Sequence, residues 1–242
     1  ALALPLRFAA RTAREFGARS VGLIAPYLGY MRQDKRFHGG EAVSTPLFAQ
    51  FLEETFDWLV TVDPHLHRVE RLQSLYRIPT AHVSATPAVA RWIAETVPDA
   101  VLIGPDSESE QWVADIATRS GLPYQVLAKE RHGDYDVRVS LPDPAAVAGR
   151  TPVLIDDIVS SGHTILETLA HLRQLSLPPP LLVAIHPVFA GDAYARLQEA
   201  GLARIVSTDT IAHPSNAIAL GADLAAAAST LMSASADSPE DP

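Results

Sequence analysis

Short runs of apolar residues recur along the chain, and stretches with helical spacing separate each run from the next. The runs at 20–25, 58–62 and 100–103 are apolar almost throughout. A strand with one face in water would instead alternate apolar and polar positions. Strands that are apolar on both faces occur in parallel sheets covered by helices. The pattern therefore predicts an α/β fold with mainly parallel sheets flanked by helices.

The same spacing predicts the remaining elements and their division into domains. Helices are expected at 3–17, 45–55, 87–96, 109–120, from 164 onwards, 193–200 and 222–231, with further strands at 124–127, 152–155, 181–185 and 204–207. The pattern restarts after a turn-rich stretch at 78–80, so a first domain is predicted over 1–80, completed by about 222–232. A second domain is predicted over 81–221. Residues 233–242 have little to bury and are predicted to form a disordered tail.

Composition limits the classes of function that the chain can have. A net charge of −9 argues against a nucleic-acid partner, because phosphate backbones are bound by clustered Lys and Arg. Cysteine is absent, so a metal would need oxygen or imidazole ligands, which favours magnesium. No apolar run reaches the roughly 18 residues of a membrane helix, and the chain start lacks a signal-peptide pattern. We therefore expect a cytoplasmic protein with a small-molecule substrate and no membrane partner.

The segment Val153-Leu-Ile-Asp-Asp-Ile-Val-Ser-Ser-Gly-His-Thr164 is typical of a strand, a tight turn and a helix start. Its acids fall at the carboxyl end of the strand, where ligands bind in open α/β sheets. Paired carboxylates can accept bonds from two sugar hydroxyls, while N–H groups of the turn hold a phosphate. The residues predicted to bind a phosphorylated sugar are Asp156, Asp157, Ser160, Ser161, Gly162, His163 and Thr164. The alternative is an Asp pair that caps an unrelated helix.

This order of apolar strand, two acids and small-residue loop ending in Thr resembles the type I phosphoribosyltransferase superfamily. The resemblance implies two similar phosphoribosyltransferase-like domains. No Gly-x-x-x-x-Gly-Lys-Ser/Thr segment occurs in the sequence, which disfavours a P-loop nucleotidase. Within the superfamily, almost the whole chain resembles the ribose-phosphate pyrophosphokinases, also called phosphoribosyl pyrophosphate synthetases.

Two segments carry the resemblance in the first domain. Pro26-Tyr-Leu-Gly-Tyr-Met-Arg-Gln-Asp-Lys35 is similar to the family's Pro-Tyr-x-Gly-Tyr-x-Arg-Gln-Asp, which implies that Arg32, Gln33 and Asp34 contact ATP. Thr61-Val-Asp-Pro-His65 is similar to Thr-Val-Asp-Leu-His, which implies that His65 contacts ATP and helps to hold magnesium. From the residues alone, a surface turn and a structural histidine are the alternatives.

Two further segments carry the resemblance in the second domain. Gly104-Pro-Asp106 resembles the family's Ser-Pro-Asp, which implies that Asp106 is a second metal ligand. Lys129-Glu-Arg131 resembles the Lys-x-Arg of the family's flexible catalytic loop. That match implies that Lys129 and Arg131 stabilise charge that develops at the β-phosphorus of ATP. The alternative is a solvated charge cluster in a loop.

The sequence also departs from the family pattern. Ser160 replaces the third acid of the ribose loop, and His163 replaces its final Gly. Ser107-Glu108 replaces Gly-Gly, and Leu66-His-Arg-Val-Glu70 replaces a Gln-rich stretch. The family's amino-terminal segment, which reaches the adenine pocket of a neighbouring subunit, has no match. We therefore expect the amino-terminal part of the first domain to be missing.

The resemblance implies transfer of diphosphate from ATP to the 1-hydroxyl of ribose 5-phosphate, giving phosphoribosyl diphosphate and AMP, with Mg²⁺ as cofactor. It also implies a homo-oligomer, either a dimer or a hexamer. Two alternatives stay open. A type I phosphoribosyltransferase would use the same ribose loop but would not carry the Arg-Gln-Asp or Thr-Val-Asp-x-His segments. A catalytically silent regulatory paralogue is favoured by Ser160 and Ser107-Glu108, and is opposed by Lys129 and Arg131.

Overall fold

The computed structural model describes residues 3–36, 38–66, 71–127, 129–131, 137–139, 142–175 and 177–236. Helices and strands alternate along most of this length. The strands are β1 (Gly22–Ala25), β2 (Trp58–Val62), β3 (Thr80–Val83), β4 (Ala100–Gly104), β5 (Tyr124–Val126), β6 (Lys129–Arg131), β7 (Val137–Val139), β8 (Thr151–Ile158), β9 (Leu181–His186), β10 (Arg204–Thr208) and β11 (Asn216–Ile218). The helices are α1 (Ala3–Glu15), α2 (Ser44–Glu53), α3 (Thr86–Thr96), α4 (Glu110–Ser120), α5 (Pro144–Val147), α6 (His163–Leu172), α7 (Ala193–Glu199) and α8 (Gly221–Ala236).

The chain divides into two compact units, each with its own parallel sheet. The first unit comprises the residues up to Ser84 and those from Gly221 onwards, and its sheet has the order β1-β2-β3. The second unit comprises Ala85–Leu220, and its sheet has the order β11-β10-β9-β8-β4-β5. Strands β6 and β7 form a separate antiparallel pair. The parallel α/β architecture predicted from the apolar runs is confirmed.

Each unit has an apolar core, which explains why the predicted strands are apolar on both faces. All residues of β2 and of β4 are buried. In the first unit the core includes Leu52, Leu59 and Leu72, and in the second it includes Leu154, Ile165 and Leu182. Full burial of one such side chain contributes about 1.5–3 kcal/mol, so these apolar cores stabilise both units.

The boundary between the units lies after Ser84, not at the predicted 78–80, because Thr80–Val83 forms strand β3 and pairs in parallel with β2. Thr80 and His82 interrupt the apolar run by which the other strands were predicted, so the sequence pattern missed this strand. At the other end of the chain, helix α8 packs against β2 and β3 and completes the first unit.

Helix α8 extends to Ala236, so the prediction that residues 233–236 belong to a disordered tail is wrong. The rest of that predicted tail, 237–242, lies outside the described residues. Among the helices that the structure describes, none combines the length and the apolar character needed to cross a bilayer.

Tyr76 is buried in the core of the first unit, and its hydroxyl has no hydrogen-bond partner among the described residues. Burial, followed by the nearby Glu53 carboxylate, raises the pKa of Tyr76 from 10.0 to about 12. The unfolded chain therefore loses this proton at a lower pH than the folded protein does. The contribution of the Tyr76 hydroxyl to the free energy of unfolding is fully present below pH 10 and is lost as the pH rises towards 12.

We expect Tyr76→Phe to weaken the fall in the free energy of unfolding between pH 10 and 12. At neutral pH the substitution should raise that free energy by about 1 kcal/mol, because it removes a buried hydroxyl that lacks a partner. Urea unfolding across this pH range measures both effects, and Tyr124→Phe at a 43% exposed position is the control. Equal alkaline slopes for wild type and Tyr76→Phe would contradict the assignment.

Candidate functional site

The carboxyl-terminal edge of the second sheet collects polar residues from neighbouring strands. Strand β8 carries Asp156 and Asp157 near its end, and its neighbour β4 leads into Asp106. On the far side of β4, strand β5 leads into Leu127, whose backbone N–H donates to the Gly104 carbonyl at 2.9 Å. Parallel strands end at the same edge of a sheet, which is where ligands bind in open α/β folds. This edge is therefore the candidate site of the second unit.

The two adjacent aspartates of β8 have different environments. Asp157 is 5% exposed, and its Oδ1 accepts a hydrogen bond from the backbone N–H of Ile158 at 2.8 Å. Asp156 is half-buried. Successive side chains of a strand point to opposite faces of the sheet, so the two carboxylates are not equivalent. Asp156 is the more accessible to a ligand at the strand end.

The turn after β8 leads directly into helix α6, as the sequence predicts. Gly162 precedes the helix with φ of 71°, a left-handed conformation that glycine adopts without a steric penalty. A Cβ atom at this position would also lie 3.0 Å from the Leu197 side chain. The N–H groups in the first turn of a helix have no partner within the helix, and they bind anions. The turn and the first residues of α6 can therefore hold a phosphate.

The polar side chains of this turn differ in exposure. Ser160 and Thr164 are half-buried, whereas Ser161 and His163 are exposed. His163 Nε2 lies 3.2 Å from Oε1 of Glu167, one helical turn along α6. The family glycine is thus replaced by an imidazole that pairs with a carboxylate on the surface of the same helix.

Asp106 organises the short turn that follows β4. The Oδ1 of Asp106 accepts a hydrogen bond from the Glu108 N–H at 3.1 Å. The backbone carbonyl of Asp106 accepts one from the Ser109 hydroxyl at 2.5 Å. Gly104 is needed just before this turn, because a Cβ atom there would overlap the Ser109 Oγ. Ser107 and Glu108, which replace the family's Gly-Gly, therefore form a capped 3-10 turn. The Asp106 carboxylate is partly engaged in that cap.

Lys129 and Arg131 lie on strand β6, where their backbones are opposite Val139 and Val137 of β7. The hairpin formed by β6 and β7 follows Leu127, which is bonded to the end of β4. It therefore begins at the sheet edge that carries Asp106 and the β8 aspartates. The sequence did not predict this hairpin, since each strand has only three residues.

In the first unit, the two segments predicted to bind ATP leave neighbouring parallel strands. The 26–36 segment follows β1, and the segment with His65 follows β2. The Val62 N–H donates to the Pro26 carbonyl at 3.1 Å, which shows that the two segments start at the same edge of the sheet. His65 itself is half-buried.

Helix α2 holds the Arg-Gln-Asp segment in place. The Gln33 carbonyl accepts from the Thr45 N–H at 3.3 Å, and Gln33 Oε1 accepts from the Ser44 hydroxyl at 3.2 Å. Arg32 is exposed, while Gln33 and Asp34 are half-buried. The segment thus presents the Arg32 cation to solvent on an anchored backbone, which suits a phosphate or nucleotide ligand.

A buried aspartate paired with a histidine at this edge was missed by sequence reasoning. Asp63 is 5% exposed, has φ of 29°, and its Oδ1 lies 2.9 Å from Nε2 of His82 on β3. Asp63 is two residues before His65 in the chain. Recognition of β3 as a strand would have placed His82 beside the end of β2, but the polar residues of β3 hid that signal.

The residues predicted to share a magnesium ion, His65 and Asp106, belong to different units. Within the described ranges, no three His, Asp or Glu side chains form a metal-binding group. Magnesium usually needs only one or two carboxylates, with substrate phosphates and water as further ligands. The carboxylate of Asp106, which follows β4 at the carboxyl-terminal edge of the second sheet, fits that requirement.

The sequence is similar to those of known enzymes along most of its length. The chain is 34% identical over 221 residues to a ribose-phosphate pyrophosphokinase of Methanopyrus kandleri, a match that spans 90% of this chain and 75% of the relative. The chain belongs to the ribose-phosphate pyrophosphokinase family. A second member of that pyrophosphokinase family, from Saccharolobus solfataricus, is 34% identical over 204 residues, which span 84% of this chain and 69% of the relative.

Family models and a solved structure agree with this assignment to the pyrophosphokinases. Residues 4–55 match the N-terminal domain of ribose phosphate pyrophosphokinase, and residues 81–212 match the phosphoribosyl transferase domain. The fold is similar to a phosphoribosylpyrophosphate synthetase from Mycobacterium smegmatis, with a TM-score of 0.78 and 25% identity over 97% of this chain and 78% of that chain. The resemblance inferred from the motifs is confirmed. The match at 4–55 includes the Arg-Gln-Asp segment of the first unit.

Proposed function

We propose that this chain transfers the β,γ-diphosphoryl group of ATP to the 1-hydroxyl of ribose 5-phosphate. The 1-oxygen forms a bond to the β-phosphorus, and the bond between that phosphorus and the oxygen bridging to the α-phosphate breaks. The bridging oxygen leaves with AMP, the hydroxyl proton is released, and the product is phosphoribosyl diphosphate. The single observation that best supports this reaction is the carboxylate pair, glycine turn and helix start at the end of β8, in a chain of this family.

The ribose 5-phosphate would bind at that end of β8. Asp156 and Asp157 would accept hydrogen bonds from the ribose hydroxyls, and the backbone of Ser160, Ser161, Gly162, His163 and Thr164 would hold the 5-phosphate. The half-buried position of Asp156 and the left-handed Gly162 support this assignment. The exposed His163 is the first residue of α6, beside the proposed phosphate position.

ATP would bind through residues that follow β1 and β2. Arg32, Gln33, Asp34 and His65 would contact the nucleotide, with the exposed Arg32 pairing with phosphate oxygens. His65 and Asp106 would hold Mg²⁺, which neutralises negative charge on the phosphates when bound. Lys129 and Arg131 would supply positive charge where it develops on the transferred group. No general base is assigned, because positioning and charge neutralisation can supply most of the acceleration in phosphoryl transfer.

One alternative keeps a specific basis in the sequence. Ser160 and the Ser107-Glu108 turn, where Asp106 is partly engaged as a cap, favour a catalytically silent regulatory paralogue that binds phosphates. The match of residues 4–55 to the pyrophosphokinase N-terminal domain opposes a type I phosphoribosyltransferase. We also propose that the protein assembles as a homo-oligomer, a dimer or a hexamer, as the family resemblance implies.

The proposal is tested by incubating the full chain with Mg²⁺, ribose 5-phosphate and ATP labelled in its γ-phosphate. AMP and labelled phosphoribosyl diphosphate should form in equal amounts, and both should be measured by chromatography. Omission of ribose 5-phosphate controls for ATP hydrolysis, and EDTA should stop the reaction. Formation of ADP would show transfer of a single phosphoryl group and would refute the proposal. Binding of ribose 5-phosphate without AMP would establish the silent paralogue instead.

A further inference from the structure

Phe189 has an unfavourable backbone conformation beside the proposed ribose-phosphate loop. Its φ is 36°, in the left-handed region that residues other than glycine rarely adopt, and its side chain is 8% exposed. Such a conformation costs free energy and persists only where the surrounding structure fixes it. Residues strained in this way cluster at functional sites, so the contacts of Phe189 indicate what the strain maintains.

The segment that contains Phe189 is bonded to the turn that follows β8. The Val159 N–H donates to the His186 carbonyl at 3.2 Å, and the Phe189 N–H donates to the Val159 carbonyl at 2.8 Å. The Ala190 N–H then donates to the Ser160 carbonyl at 3.0 Å. These bonds continue the pairing of β8 with β9 past the ends of both strands. They hold the backbone of Ser160, the first residue of the proposed loop.

The ring of Phe189 packs against two other rings from later in the chain. Its centroid lies 5.1 Å from that of Tyr194 on α7 and 4.7 Å from that of His213. Tyr194 and His213 meet edge to face at 4.5 Å, and the Ser215 hydroxyl lies 2.8 Å from His213 Nδ1. Burial lowers the pKa of His213 below its ordinary value. Tyr194 and His213 thus pack against the ring of Phe189, while its backbone is bonded to the turn after β8.

Helix α7 also contacts the other end of the loop. The Leu197 side chain lies 3.0 Å from the position that a Cβ atom on Gly162 would occupy. Tyr194 and Leu197 are on the same helix. Helix α7 therefore packs against both Phe189 and Gly162. Displacement of α7 would affect the loop at both Ser160 and Gly162.

We infer that Phe189, packed between Tyr194 and His213, is a positioning residue that sets the backbone of residues 159–164 for the phosphate of ribose 5-phosphate. This inference rests on the proposed function of that loop. Without the ring, residue 189 can relax to negative φ, which breaks its bond to Val159 and the neighbouring bond to Ser160. The N–H groups of the following turn then lose the orientation in which they bind a phosphate.

The test compares Phe189→Ala with Leu172→Ala in the full chain. Both side chains are buried in the same apolar core, but Leu172 is at the opposite end of α6 from the loop. The melting temperature should fall in both variants. The Kd for ribose 5-phosphate, measured by calorimetry, should rise about tenfold or more in Phe189→Ala and change less than about twofold in Leu172→Ala. Tyr194→Leu, a milder change at a half-buried position, should also raise this Kd and serves if Phe189→Ala does not fold.

The outcomes separate this inference from the proposed function. An unchanged Kd in Phe189→Ala, or an equal rise in Leu172→Ala, overturns the positioning role whether or not AMP is formed. A rise in the Kd for ribose 5-phosphate in Phe189→Ala alone supports the positioning role. If the wild-type protein then releases no AMP, only the proposed diphosphate transfer is wrong. If the wild-type protein does not bind ribose 5-phosphate, the positioning role of Phe189 and the proposed function are both wrong.

Discussion

Replacement of Lys129 by alanine is expected to lower kcat about a thousandfold while it changes the KM for ribose 5-phosphate less than about threefold. Negative charge is redistributed on the diphosphoryl group during transfer, and a mobile ammonium group can follow it. The β6–β7 hairpin begins at the sheet edge that carries Asp106 and Asp156, which is the edge where ribose 5-phosphate is proposed to bind. Loss of an interaction made only in the transition state lowers kcat without weakening substrate binding. Steady-state rates of AMP formation measure both constants.

The hairpin offers a matched control for Lys129→Ala. Arg138 is on β7 opposite Glu130, outside the Lys-x-Arg motif, so Arg138→Ala removes a cation from the same hairpin. We expect Arg138→Ala to keep kcat within about threefold of the wild type, since Arg138 lies outside the Lys-x-Arg motif that is proposed to act on the transferred group. Equal losses in kcat and in ribose 5-phosphate affinity for Lys129→Ala would assign Lys129 to substrate binding instead.

Asp156→Asn should raise the KM for ribose 5-phosphate about 10- to 100-fold, because a hydrogen bond to a charged group contributes about 1.5–3 kcal/mol. The amide retains the size of the carboxylate but accepts fewer hydrogen bonds and carries no charge. Asp156 is preferred to Asp157 for this test, since Asp157 is buried and bonded to the Ile158 N–H. Initial rates at varied ribose 5-phosphate and fixed, saturating ATP measure the effect.

The control for Asp156→Asn is Asp192→Asn. Asp192 has a side chain that is 78% exposed and precedes helix α7 in the same unit. Its replacement should leave both KM values unchanged. The KM for ATP should also stay within about twofold in Asp156→Asn, because the residues proposed to contact ATP are Arg32, Gln33, Asp34 and His65, and not Asp156. A rise in the KM for ATP that equals the rise for ribose 5-phosphate would place Asp156 in the nucleotide site and refute the assignment.

Local pattern predicted most of the regular elements because the strands are buried on both faces. Strand β2 has the predicted bounds, 58–62, and every one of its residues is buried. The elements that sequence reasoning missed are short, such as β11, or contain polar residues, such as β3. These strands are stabilised by pairing with a neighbour from elsewhere in the chain, and that pairing leaves little periodicity in their own residues.

For the candidate site, the residue types determined which ligand chemistry each segment can support. The acids, glycine and helix start of 153–164 are consecutive, so one segment contains both the carboxylates and the phosphate-binding turn. The different burial of Asp156 and Asp157 was decided by the sheet, since alternate residues of β8 face different layers. Adjacent identical residues therefore acquire different environments, which no local pattern distinguishes.

The sequence by itself determined the α/β class, the family motifs and the strand, turn and helix at 153–164. Only the tertiary structure decided that Asp63 pairs with His82, and that the backbone around Phe189 is bonded to Val159 and Ser160. These contacts join residues from different strands, and the conformation of Phe189 is opposed by its own local preference. Packing against Tyr194 and His213 overrides that preference. Such arrangements are visible only once the sheet has brought distant segments together.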